Sequence, residues 1–344
     1  MRSSMPLPEP PSTDDRRIWD LWLSQWQLPA VLAAESLGIF QRLASGPGGL
    51  AELCELGQLP QPAGEALMAA MCAMGYAAKR GSEFRITDLA RTYLLEGGDF
   101  YWLHMLRGNQ DAGSKGDALI EALRTDKRVA DSRTSQRWEF GQMTAEDAAR
   151  MNRGMQSHSF PSALGVARHG DFRGVRRLLD VAGGSGCYAI AIAAANSGLQ
   201  ATVADLPPVT SDTTQYIRRY GVEDRVDTYS FNMFFDPWPR DYDAIFFSNV
   251  FHDWDADRCR DLARLAFEAL PPGGRIYLHE MLLNDNHDGP LTAALFSLLM
   301  CLGTRGKQFS SGDLQALLGK AGFGPISITE TYGYYSLVSA TKPA

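Results

Sequence analysis

Gly183, Gly184 and Gly186 stand directly after the apolar run Leu178, Leu179 and Val181, with Asp180 set inside that run. An Ala- and Ile-rich stretch of good helix formers follows as far as Ala195. Strand, glycine turn and helix open an α/β unit that holds a dinucleotide or a nucleoside. Glycine serves there because the turn is tight and the ligand approaches the backbone closely. The free N–H groups at the helix start then face that ligand. Gly184-Ser-Gly186-Cys-Tyr-Ala189 satisfies the dinucleotide pattern, which leaves a nicotinamide-dependent oxidoreductase open. Asp180 points the other way, because a carboxylate repels a pyrophosphate and suits a ligand with an amino group and no phosphate.

Further groups converge on that turn. Asp205 ends the next apolar run, about twenty residues after the glycines, where a carboxylate accepts hydrogen bonds from ribose hydroxyls. Phe231-Asn-Met-Phe-Phe-Asp-Pro-Trp-Pro239 supplies aromatic and amide groups that could flank an adenine, and Ser248-Asn249 ends another apolar run. His252, in Val250-Phe-His-Asp-Trp254, is the best-placed candidate for proton transfer, and Glu280 ends the following run, where it could orient an imidazole. Met151, Met155 and His158 share one helical face, a pattern that reads first as core.

These residues need a sheet to position them. Strands are expected at Arg177–Val181, Gln200–Ala204, Val226–Ser230, Ala244–Ser248, Arg275–Glu280, Ile326–Thr331 and Tyr334–Ala340, with helices after the first, second, fourth and fifth and before the sixth. The last two, separated only by Tyr332-Gly333, make an antiparallel hairpin, which is not how a dehydrogenase sheet usually finishes. The fold class is therefore α/β: a seven-stranded, mostly parallel Rossmann-like sheet preceded by a mainly helical region. In that region helices are expected at Pro29–Ala44, Leu50–Gln58 and Gly64–Tyr76, followed by a hairpin over Ala77–Thr87 turning at Gly81-Ser82. Three helices and a hairpin spell a winged helix. Ile18, Trp19, Trp22, Leu23 and Trp26 form one apolar face before it, suited to a subunit contact. The expected organisation is a tail over 1–15, a winged-helix dimerisation domain over 16–100, a helical, substrate-lining linker over 101–170, and a ligand-binding domain over 171–344.

Bulk properties exclude several classes. A net charge of −7 argues against nucleic acid. The third helix of the winged-helix pattern, Glu65–Tyr76, also carries no Lys or Arg with which to meet phosphate. Cys54, Cys72, Cys187, Cys259 and Cys301 are odd in number and without a C-x-x-C, so no disulfide framework or metal site is expected. Met1–Asp15 lacks the apolar core of a signal peptide, and Leu291–Leu302 is too short to span a bilayer. A cytoplasmic enzyme without a membrane partner is the expectation.

Asp180-Val-Ala-Gly-Gly-Ser-Gly186, Asp205-Leu-Pro207, Asn232-Met233, His252-Asp-Trp254, Pro271-Pro-Gly-Gly274 and Lys307-Gln308 occur in the order and spacing of a known family. The sequence resembles the S-adenosylmethionine-dependent O-methyltransferases of the caffeate/acetylserotonin type, including bacterial natural-product tailoring enzymes. The resemblance runs from Ile18 to Lys342 and implies a homodimer joined through the N-terminal domain, with a small aromatic acceptor. It implies that Asp180, Gly183, Gly184, Asp205, Leu206, Asn232, Met233, Ser248 and Asn249 hold S-adenosylmethionine. It implies that His252 is the general base, with Asp253, Glu280 and Gln308 around it, and that Met151, Met155, His158, Leu295, Leu298 and Leu299 line the acceptor pocket. The chain departs from the family pattern at four places. Ala182 replaces the first loop glycine, which requires a negative φ there. Asn232 replaces an aspartate, Ser248 a lysine and Gln308 a glutamate, the last removing a charge that would raise the imidazole pKa. The reaction expected is methylation of an aromatic hydroxyl of a secondary metabolite, the alternative being C- or N-methylation of an aromatic or amino-acid-derived acceptor.

Overall fold

The computed structural model describes residues 16–107, 119–120 and 134–344. The tail expected over 1–15 lies outside them. The chain divides into two compact units, residues 1–110 and 111–344.

In the first unit, α1 (Arg16–Ser24) buries none of its residues. Ile18, Trp19, Leu21, Trp22, Leu23 and the adjoining Trp26 are 50–71% exposed. Next come α2 (Gln27–Ser36), α3 (Ile39–Ala44), β1 (Gly48–Gly49), α4 (Leu50–Gly57), α5 (Gln61–Ala73), β2 (Ala77–Arg80), β3 (Glu83–Ile86), α6 (Asp88–Tyr93) and α7 (Leu103–Arg107). The helix expected over Pro29–Ala44 is two helices, because Gly38 takes φ +72° and breaks the ladder between them. Val31, Leu32, Ile39, Phe40, Met68 and Met71 close the core under the expected hairpin. The strand order is β1-β3-β2.

The second unit opens with α8 (Thr134–Glu139) and the long α9 (Ala145–His169), whose first turn is capped by the Thr144 hydroxyl. The sheet elements then alternate: β4 (Arg177–Val181), α10 (Cys187–Ala195), β5 (Gln200–Asp205), α11 (Pro207–Arg219), β6 (Val226–Ser230), β7 (Ala244–Ser248), α12 (Ala256–Ala269), β8 (Arg275–Met281), α13 (Leu291–Gly303), α14 (Ser311–Ala321), β9 (Ser327–Tyr332) and β10 (Tyr335–Thr341). Strand order is β6-β5-β4-β7-β8-β10-β9. The first five are parallel, and β10 runs antiparallel to both neighbours. The closing turn is Gly333-Tyr334, one residue later than expected, with Gly333 at φ +58°. Period-two alternation is suppressed in β4 and β7 because both faces are covered, so their side chains are apolar on both sides. Ile245 and Phe247 point into one layer, and Phe246 packs on Tyr188 of α10 in the other. No described helix is long and apolar enough to cross a membrane.

Candidate active site

The carboxyl ends of β4, β5, β7 and β8 bring Asp180, Asp205, Ser248, Asn249 and Glu280 to one edge of the sheet, the position open α/β sheets use for ligands. Asp205 anchors the glycine loop there. Its Oδ2 accepts the Gly184 N–H at 2.9 Å and its Oδ1 accepts the Leu206 N–H at 2.7 Å. Each oxygen keeps a lone pair for a ligand. Burial pushes this carboxyl up to about 6, against the pull of the two N–H groups. Asp180 lies beneath the loop: a Cβ on Gly183 would stand 2.8 Å from its carboxyl and 2.8 Å from Val203. Asp180 is 1% exposed, and burial raises its pKa to about 8, with Asp205's charge adding to the shift. Its Oδ2 has no hydrogen-bond partner.

Ala182 corrects one expectation. Its φ is +55°, in the left-handed region where a Cβ costs roughly 1–2 kcal/mol. Its N–H bonds to the Ala204 carbonyl at 2.7 Å, so pairing with the end of β5 holds the strained conformation. Ala182→Gly should therefore stabilise the chain by about 0.5–1 kcal/mol, the strain relieved less glycine's extra unfolded-state entropy. A thermal melt that stays put or drops would show the strain to be absent.

Two residues not foreseen complete this end. Asn152, fully buried on α9, donates to Asp212 at 2.9 Å and leaves its Oδ1 unpartnered against Gly184. Gln156, one turn on, donates to the Tyr220 hydroxyl at 3.2 Å. Two buried amides one turn apart in an otherwise mixed helix were the available signal. Met151 lies in a small apolar cluster with Ala148, Leu206 and Val209, beside the carboxylate end of β5. Asn232 bonds to the protein itself: its Nδ2 donates to the Glu139 carbonyl at 2.7 Å and its Oδ1 accepts the Phe234 N–H at 2.9 Å. Met233 packs on the sheet core, and its carbonyl accepts the Trp238 indole N–H.

His252 sits in a 3₁₀ turn over Phe251–Asp253 and is 3% exposed. Its Nδ1 lies 2.8 Å from Glu280 Oε2. Burial works against its charge, but Glu280 and Asp253 outweigh burial and lift its pKa to about 9. Gln308 adds no charge to this set, in which Glu280, at contact distance, is the larger raising charge and Asp253 the smaller. Gln308 is fully buried, and its amide reaches the same Nδ1 at 3.1 Å. The Gln308 atom at that distance is Nε2, which can donate only to an unprotonated Nδ1, so this contact and an Nδ1–H directed at Glu280 are alternative states of the ring. Asp253 Oδ1 stands 3.7 Å from Nε2, and burial raises its pKa to about 7, with His252 opposing.

The ring of Phe296, on α13, meets the His252 imidazole edge-on with centroids 5.1 Å apart. Leu295, Leu298 and Leu299 are 55%, 37% and 43% exposed on that helix, so Phe296 rather than these leucines makes the contact with the imidazole. The leucine run announced the helix without fixing its phase. His158 faces Tyr335, with Nε2 3.5 Å from the phenol oxygen, and its pKa falls to about 4 through burial and the charge of His252. Met155, one turn earlier, is half-buried. Ser248 Oγ lies 3.1 Å from His279 Nδ1, and His279 stacks on Tyr335 at 4.9 Å. The Asn249 N–H donates to the His279 carbonyl at 3.2 Å with φ +54°.

The set divides into two ends. At one, two carboxylates and close-approaching backbone suit a phosphate-free nucleoside bearing an amino group. At the other, a carboxylate-backed imidazole can take a proton. Among the described residues no cluster of metal ligands occurs.

Comparisons with known proteins show the family to which the chain is similar. The O-methyltransferase domain family matches residues 119–324. A 3-hydroxy-5-methyl-1-naphthoate 3-O-methyltransferase from Streptomyces sahachiroi is 31% identical over 88% of this chain and 88% of its own. An L-tyrosine C(3)-methyltransferase from Streptomyces lavendulae is 34% identical over 45% of this chain and 43% of its own. The solved structure of human N-acetylserotonin methyltransferase in complex with S-adenosylmethionine superposes with a TM-score of 0.82, at 24% identity, over 98% of this chain and 100% of that one.

Proposed function

Since the chain belongs to the O-methyltransferase domain family, we propose that it uses S-adenosylmethionine to methylate an aromatic hydroxyl of a small secondary metabolite, with His252 as general base. The observation that carries the base assignment is the buried His252–Glu280 pair at 2.8 Å. A carboxylate at ion-pair distance favours the proton on Nδ1 and leaves Nε2 to accept one.

When bound, S-adenosylmethionine supplies an already activated sulfonium methyl, so the protein's tasks are alignment and deprotonation. Asp205 has a free lone pair on each oxygen for the ribose hydroxyls. Gly183 lets the loop close directly over Asp180, whose partnerless oxygen would help hold the ammonium of the amino-acid portion. Leu206, Asn232 and Met233 border the base. At the other end, His252 takes the acceptor's proton at Nε2 while Glu280 stabilises the imidazolium that forms. A phenol of pKa about 10 and an imidazole raised to about 9 are closely matched, so the transfer costs little. An ordinary imidazole at about 6.5 would face almost 5 kcal/mol. Phe296, His158, Met155 and the neighbouring leucines form the acceptor's surroundings.

Gln308, neutral where the family pattern has a carboxylate, favours C-methylation of a tyrosine-like ring as a second reading. Mass spectrometry after incubation with 3-hydroxy-1-naphthoates, other phenols, indoles and aromatic amino acids decides between them. A product that gains one methyl on oxygen supports the first reading, methyl on carbon the second, and no methylation of any acceptor counts against both.

The first unit serves as a winged-helix dimerisation domain, and the exposed tryptophans and aliphatic side chains of α1 are its contact face. Sedimentation velocity should return twice the chain mass, and a monomer at micromolar concentration would refute this pairing.

A further inference from the structure

Glu139 is a charged residue in a stretch otherwise marked by aromatics, and its carboxylate is only 5% exposed. One carboxylate oxygen is paired with Arg258 at the start of α12, the other with Arg305 in the segment after α13. Both guanidiniums lie over aromatic faces, Arg258 at 4.8 Å from Phe234 and Arg305 at 5.4 Å from Trp254. A buried carboxylate between two guanidiniums is a firm joint, because removing its charge leaves Arg258 to the more distant Asp261, at 3.8 Å, and Arg305 to the more distant Asp255, at 3.8 Å.

That joint is tied to the catalytic turn by backbone contacts. The Arg305 N–H donates to the Asp253 carbonyl at 3.0 Å. At the next residue, a Cβ on Gly306 would stand 1.7 Å from the His252 carbonyl oxygen, so the two backbones touch with no room for a side chain. Two residues further, Gln308 reaches the imidazole. The same Glu139 is tied to the other end of the site through its own carbonyl, which accepts from Asn232.

We propose that Glu139 is a positioning residue, a clasp that holds the His252 turn in register with the cofactor wall through Arg258 and Arg305 on one side and Asn232 on the other. The inference rests on the reading of this site as a methyltransferase centre with His252 at its acceptor end. Glu139 makes its contacts with Arg258, Arg305 and Asn232. It acts through the segment 304–308, which keeps His252 against Glu280. The charged and titratable groups facing His252 are Glu280 from β8, Asp253 on its own turn and His158 from α9. Of these, the contact with Glu280 is the one that a loosened turn loses first.

The test uses the full chain with isotopically labelled histidine, the His252 resonance being assigned by its loss in His252→Ala. Glu139→Gln keeps the side chain's volume and the carbonyl that Asn232 bonds, and removes only the charge. The His252 pKa should fall by about one unit towards that of free imidazole, while calorimetry with S-adenosylmethionine shows affinity little changed. An unmoved His252 pKa in a folded variant overturns the clasp. If Glu139→Gln does not fold, Arg305→Lys, which keeps charge but loses the fork, should give the same downward shift, and its absence is equally decisive. The titration needs no acceptor, so the two readings fail separately. Full turnover in His252→Ala would remove the base, whereas an unmoved pKa would remove the clasp alone.

Discussion

Replacing His252 with alanine should lower methyl transfer by about a hundredfold or more, the usual worth of a positioned general base, and leave the affinity for S-adenosylmethionine nearly unchanged. The two ends of the site share no hydrogen bond between His252 and the glycine loop, so truncating the imidazole leaves the carboxylate of Asp205 where it is. The pH dependence gives a second handle on the same group. An imidazole must be neutral to accept a proton, and its pKa here is raised to about 9. In the enzyme free of ligands most of it is therefore protonated at neutral pH. The wild-type kcat/KM should then climb as pH rises through that value, and the limb should vanish in His252→Ala. Glu280→Gln should displace the limb to lower pH, since the charge that favours imidazolium is gone. A fall of only a few fold in His252→Ala, with the pH limb intact, would take His252 out of the base role and favour methylation at carbon or nitrogen.

The second large effect is expected at Asp205. Its carboxylate ties Gly184 to Leu206 and, in the proposed reading, would accept from the ribose hydroxyls. Asp205→Ala should weaken S-adenosylmethionine binding by about 1–3 kcal/mol, the cost of leaving buried hydrogen-bonding groups unmatched. Because burial raises its pKa to about 6, the ionised form predominates above that pH and the protonated form below it. Cofactor affinity should accordingly decline as pH falls through 6 in the wild type, with no such decline in the alanine variant. Titration calorimetry at several pH values checks both statements, and unchanged affinity in Asp205→Ala would refute the ribose assignment.

The parallel sheet was legible because β4, β5, β7 and β8 are short, mostly apolar runs with a polar residue at or near the carboxyl end, the pattern expected of strands covered on both faces. His252 and Glu280 were legible for the same reason: they stand immediately past or at such ends. β1 was not, since Gly48 and Gly49 carry no side-chain pattern and become a strand only by pairing with Phe84 and Glu83. The sign of φ at Ala182 was also hidden, because alanine's preference was overruled by the bond to Ala204. Glu139 shows the general limit. Its partners lie 119 and 166 residues further along the chain. A single acidic residue among aromatics looks solvated until the fold brings two arginines to it. Phe296 illustrates another limit, as helical spacing groups residues into faces but does not say which face turns inward.

The division of labour around His252 bears on how such a chain diversifies. The imidazole is held by β8 and by the backbone of residues 304–308, whereas α13 presents Leu291, Leu295, Leu298 and Leu299 with much of their surface uncovered. Those leucines support neither the Glu280 contact nor the glycine loop. If these leucines face the acceptor as proposed, exchanging them for residues of other bulk or polarity should change which ring systems are accepted while the His252–Glu280 contact stays in place.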